Sequence, residues 1–84
     1  SIAHRELVRA YMEAEKIRST VLKAAVQSFE LAQEGYKEGK FEYLDMLDSQ
    51  KTLFEVRERY IQALLNYHQS IADIEYLNTQ EEGL

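Results

Sequence analysis

Apolar residues recur along this chain at steps of three and four, first over residues 2–34 and again over residues 42–78. That period belongs to amphipathic α-helices. In the first stretch Leu7, Tyr11, Ala14, Ile17, Val21, Ala24, Ser28 and Leu31 form a coiled-coil-type seam. A second set, Leu22, Ala25, Val26, Phe29 and Ala32, widens the apolar band to one side. In the second stretch the seam runs Met46, Ser49, Leu53, Val56, Tyr60, Ala63, Tyr67, Ser70, Ile74 and Leu77, a heptad register held for more than four heptads. Beside it lie Leu47, Phe54, Ile61, Leu64 and Ile71. Helix-breaking residues gather only between the two runs, in GYKEGKFEYLDMLD, where Gly35 and Gly39 stand four apart. Glycine costs about 1 kcal/mol against alanine inside a helix but accepts left-handed turn positions. The pattern predicts an all-α fold: two long antiparallel helices forming a coiled-coil hairpin. Arm 1 covers about residues 2–36, the tip about 37–41, arm 2 about 42–78, and a polar tail 79–84.

Folding the chain near residue 38 sets Val56 opposite Val21, Leu53 opposite Ala24 and Ala25, Tyr60 opposite Ile17, and Tyr67 near Ala10 and Tyr11. Large residues then mostly face small ones, as interdigitated antiparallel helices require. The same register brings His4 beside Asp73 and His68 beside Arg9. On the exposed face, Arg9 with Glu13 and Glu13 with Lys16 have the spacing of helix-surface ion pairs. Two helices bury one seam each, so the leftover apolar flank implies more helices alongside, from a longer parent chain or from other copies. A helix pair that dimerises into a four-helix bundle is the plain alternative.

Composition narrows the partners. A length of 84 residues allows one small domain. The net charge of −5 argues against nucleic acid, whose phosphates need a basic stripe. With no cysteine there are no disulfides and no thiolate metal sites. No run approaches the ~20 apolar residues that a helix needs to span a bilayer. Starting at Ser1, the chain reads as an excised piece of something larger.

Candidate chemistry is sparse. Asp45 and Asp48, three apart at the start of arm 2, put both carboxylates on one helical face. Acidic residues there gain about 0.3–1 kcal/mol from the helix dipole. Convergence of several copies would instead turn them into a cation-selective ring. No nucleophile, second carboxylate pair or pocket-forming loop accompanies them, so the chain reads as no enzyme and implies no cofactor. His4 and His68 lack a partner ligand at helical spacing, which argues against a metal site. Most of the tyrosines fall on or beside the seams. Tyr36 and Phe41 fall at the tip, either as a plug that packs the loop or as a contact for a partner.

The run YKEGKFEYLDMLDSQKTLFEVRERYIQALLNYHQSIADIE resembles the C-terminal helical hairpin of the TolC-like outer membrane efflux proteins. The matching pieces are Tyr36 and Gly39 of a Tyr-x-x-Gly turn, then Leu44-Asp45-Met46-Leu47-Asp48-Ser49-Gln50, then Tyr60, Ala63 and Tyr67. The resemblance implies a trimeric parent in which an outer-membrane β-barrel continues into a periplasmic helical tunnel. This segment would lie in the periplasm as one of the tunnel's hairpins, without catalytic chemistry. Its tip, with Tyr36, Gly39, Lys40 and Phe41, would meet a periplasmic adaptor protein, while an inner-membrane pump supplies energy. Asp45 and Asp48 would match the acidic constriction at the periplasmic entrance. The alternatives are the coiled-coil hairpin of an adaptor protein or a generic helical dimerisation module.

Overall fold

The first helix starts at Ser1, whose side-chain oxygen accepts the His4 backbone N–H at 3.4 Å and lies 2.9 Å from His4 Nδ1. A serine in that position satisfies one of the donors that every helix start leaves open. Helix α1 then runs Ile2–Lys16 and passes, through a π-helical segment Ile17–Leu22, into α2, Lys23–Lys37. Together they make one unbroken rod. After a short turn the return rod is α3, Tyr43–Glu82. The computed structural model describes residues 1–82. Between Tyr43 and Glu82 helix continues past Asn78, through positions where the polar sequence predicts a tail; Gly83 and Leu84, the rest of that expected tail, lie outside the described residues. The two rods lie antiparallel as an extended hairpin of 68 × 15 × 13 Å.

What holds the rods together is a narrow seam. Its buried residues are Ala10, Ala14, Ile17, Ala25, Ala32, Leu53, Val56 and Ala63. Small side chains of arm 1 admit Leu53 and Val56 of α3, with Val21, Leu22, Val26, Phe29, Tyr60 and Leu64 packed around them. The α3 seam follows its expected heptad, from half-buried Met46 through Leu53, Val56 and Ala63 to half-buried Ile74. Only Leu77, at its far end, is exposed. Tyr67 does meet Tyr11, ring centroids 5.7 Å apart, which fixes the antiparallel register along the hairpin.

Arm 1 departs from its expected seam in two places. Ala10, not Tyr11, is buried, so the first half reads Leu7, Ala10, Ala14, Ile17 and Val21 in steps of three and four. Beyond that point Ala24, Ser28 and Leu31 are exposed, Leu31 at 69%, and their places are taken by Ala25, Phe29 and Ala32. The π-helical segment is the cause. A π-turn accommodates one more residue than an α-turn, so Ala25, Phe29 and Ala32 take the seam one position late. Its location has a local reason as well. Ile17, Ser19, Thr20 and Val21 form a cluster of β-branched and hydroxyl side chains, and these hold an α-helix less well than straight-chain ones. Ser19 Oγ donates to the Glu15 carbonyl oxygen at 2.8 Å, a back-bond that competes with regular helical geometry.

Surface pairing also differs from the simple expectation. Arg9 turns back to Glu6 at 2.9 Å instead of forward to Glu13, and Arg18 binds Glu15 at 2.6 Å. The Arg18 hydrogen bond holds the Glu15 carboxyl below its ordinary value of 4.5 and pushes Arg18 up. His4 pairs with Ser1 and not with Asp73, whose carboxylate accepts Gln69 Nε2 at 2.9 Å.

Candidate functional site

The turn end gathers the singled-out residues, and each of its two glycines is there for a different reason. Helix α2 ends at Glu38 with φ −83° and ψ −1°, and Gly39 follows in the left-handed region at φ +76°. The Lys40 N–H donates to the Gly35 carbonyl at 2.7 Å and the Gly39 N–H to the Tyr36 carbonyl at 3.0 Å. This is the Schellman arrangement, which closes the last open carbonyls of a helix. The Phe41 N–H adds a second donor to the Gly35 carbonyl at 3.2 Å. Gly35 itself is still helical and buried. The Phe41 ring lies against it so closely that a Cβ there would overlap the ring. The expectation that both glycines mark the reversal therefore holds for Gly39 alone; Gly35 is a seat for an aromatic ring.

Phe41 is thus a partial plug, yet 47% of it stays in solvent. Tyr36 and Tyr43 bridge the two helix ends, ring centroids 5.4 Å apart and tilted by 51°. Lys40 Nζ lies 2.9 Å from Glu38 Oε2 across Gly39. Tyr36, Gly39, Lys40 and Phe41 consequently form one continuous, largely exposed cap on the hairpin.

Asp45 and Asp48 stand just behind this cap. Asp45 Oδ2 accepts the Glu42 backbone N–H at 3.1 Å, while the Glu42 carbonyl accepts the Asp45 and Met46 amides at 3.1 and 3.4 Å. Asp45 is therefore the reaching-back half of a capping box as well as a charge at a helix N-terminus. The sequence reading found only the dipole part; the spacing Glu42-x-x-Asp45 carries the missed signal. Asp48 is engaged by no side-chain hydrogen bond or ion pair among the described residues. It borders a shallow groove of about 450 Å³ lined also by Val21, Ala24, Ser28, Thr52 and Val56. Three residues apart on one straight helix, the two carboxylates lie about 60° apart around its axis and share a side.

That side continues along α3. Asp45, Thr52, Arg59, Asn66 and Asp73 recur at seven-residue steps, as do Asp48, Glu55, Gln62 and Gln69, and all nine are exposed. Leu47, Phe54 and Ile61 follow a parallel stripe on the opposite side of the seam, with Phe54 53% and Ile61 49% exposed. The rod α3 thus carries three stripes: one buried against arm 1, one polar, and one apolar and only partly covered. No helix is long and apolar enough to cross a membrane, and no cluster of three potential metal ligands exists among the described residues.

No family model matches the chain, and no solved structure matches it. A relative does. Over 74 residues, 88% of the chain, it is 39% identical to the cobalt-zinc-cadmium resistance protein CzcC of Cupriavidus metallidurans. The matched stretch makes up 18% of CzcC, so the chain spans less than a fifth of that relative.

Proposed function

We propose that this hairpin is a wall element of the periplasmic tunnel of a TolC-like outer-membrane efflux channel, working within a tripartite export system. The turn end forms the tunnel entrance and meets a periplasmic adaptor protein, and an inner-membrane pump drives export. In the trimer, copies of Asp45 and Asp48 converge on the entrance as an acidic constriction. The polar stripe behind them, from Thr52 to Asp73, faces the water-filled lumen.

The observation that carries this reading is the division of α3 into a polar side that begins with two carboxylates and an apolar side that is only partly covered. A tube built of rods needs that division, because each rod must adhere to neighbours while presenting hydrophilic surface to its bore. Similarity to a cobalt-zinc-cadmium resistance protein favours divalent metal cations as the cargo. The electrostatics suit such a cargo. Two like charges about 8 Å apart repel by about 0.5 kcal/mol in water and about 2 kcal/mol at an effective dielectric of 20. A ring of several carboxylates therefore resists closing until cations enter it.

The test is D45N/D48N in the full-length channel, reconstituted in planar bilayers. Conductance through the entrance is expected to change and block by divalent cations to weaken. Unchanged conductance with unchanged block would remove the constriction role.

A further inference from the structure

The two apolar stripes of arm 1 lie one residue apart, and only one of them is used. In the structure Ala25, Phe29 and Ala32 reach α3 because the π-helical segment Ile17–Leu22 inserts one residue between Ile17 and Ala25. Ala24, Ser28 and Leu31 continue the Leu7, Ala10, Ala14, Ile17, Val21 series without that insertion, and they stand in solvent. Their side chains are as small or as apolar as those that replace them. Alongside Ala24 and Ser28 runs the open groove of about 450 Å³, so the seam on that side is not tightly filled. The α3 seam keeps one heptad throughout.

From these observations we infer that the Ile17–Leu22 segment is a register switch: α2 has two packing positions on α3, and forming or dissolving the π-turn converts one into the other. In the second position ordinary α-helical bonds run through residues 17–22, and α2 is turned by about 100°, the rotation of one residue. Leu31 and Ser28 then leave the surface, and Phe29 and Val26 enter it. The Ser19 hydroxyl on the Glu15 carbonyl favours the π-turn, since it occupies an acceptor that an uninterrupted helix would use. π-turns inside α-helices are common at functional sites, where moving one residue changes what a face presents. This inference concerns the hairpin itself and does not depend on the channel reading.

The experiment is carbon-13 relaxation dispersion on the Leu31 methyl groups and the Phe29 ring of the 84-residue chain. Two variants accompany it: deletion of Ser19, which removes the extra residue, and A24K/S28K, which places charge on the unused stripe. Wild type is expected to show dispersion at both residues with one common rate, and contacts to α3 from both. Dispersion is expected to vanish in both variants while Phe29 keeps its contacts. Flat profiles at both residues in wild type would overturn the inference, as would dispersion that persists unchanged in A24K/S28K. Should the deletion variant fail to fold, A24K/S28K decides alone, because both of its positions are exposed and lysine suits the neighbouring Asp48.

Discussion

Replacing Gly35 by alanine sets two opposed effects against each other at one position. Gly35 lies inside α2, where alanine gains about 1 kcal/mol over glycine. The new Cβ would overlap the Phe41 ring, however, and the ring is the side that yields, because it is the end of a half-exposed side chain. Fully burying a phenylalanine is worth about 1.5–3 kcal/mol, so a ring that is 47% exposed has about 1 kcal/mol of packing to lose. In Gly35→Ala gain and loss nearly cancel. Phe41→Ala alone costs about 1 kcal/mol. In the double variant the ring was already displaced, so its removal costs nothing more, and the coupling between the two positions is about 1 kcal/mol, within the range for contacting residues. Urea denaturation of the three variants and wild type, followed by circular dichroism at about 222 nm, the helix band, measures the cycle. If Phe41→Ala costs the same in the wild-type and the Gly35→Ala backgrounds, the ring is not seated on the glycine and the account of the turn fails.

Other consequences are simpler. Gly39→Ala forces a Cβ into a left-handed residue at φ +76° and is expected to cost about 1–2 kcal/mol, with Gly39→Asn recovering part of it; the comparison needs only melting curves. Leu53→Ala removes one of the two largest side chains buried in a seam built chiefly of alanine, and a loss of about 2–5 kcal/mol should abolish the cooperative melt, whereas Leu65→Ala, at a position 58% exposed, should leave it in place. The Glu15 carboxyl sits below 4.5 because of Arg18, so its contribution is complete above that pH and is lost as pH falls through the lowered value. Melting temperature should therefore drop more on acidification in wild type than in Glu15→Gln, and parallel curves for the two would contradict the pairing.

The hairpin was legible in the sequence because its two signals are local and agree: a strict heptad from Met46 to Ile74 and a pair of glycines, Gly35 and Gly39, between the two apolar runs. The second half of arm 1 was not. A period of three and four is blind to an inserted residue, and Ala24, Ser28 and Leu31 satisfy that period as well as the residues that displace them. The visible trace was the doubled stripe, which reads equally as a helix with two neighbours. At the turn, Gly39 could be read from its residue type, since a left-handed residue calls for glycine. The demand on Gly35 comes from Phe41 six positions away, and no one-dimensional pattern announces such a contact. Tyr11 was misplaced for a related reason: an aromatic competes with the adjacent Ala10 for the seam, and close approach of two rods selects the smaller side chain.

One reversal joins two rods that touch along most of their length, and that connectivity sets an order of events. Partners near the corner are separated by a handful of residues, whereas Tyr11 and Tyr67, towards the open end, are 56 apart. Closing short loops first and extending pair by pair avoids the entropy of long-range encounters, so assembly should start at the corner and zip outwards. Damage to the corner would then slow formation, and equal damage at the free end would mainly hasten fraying.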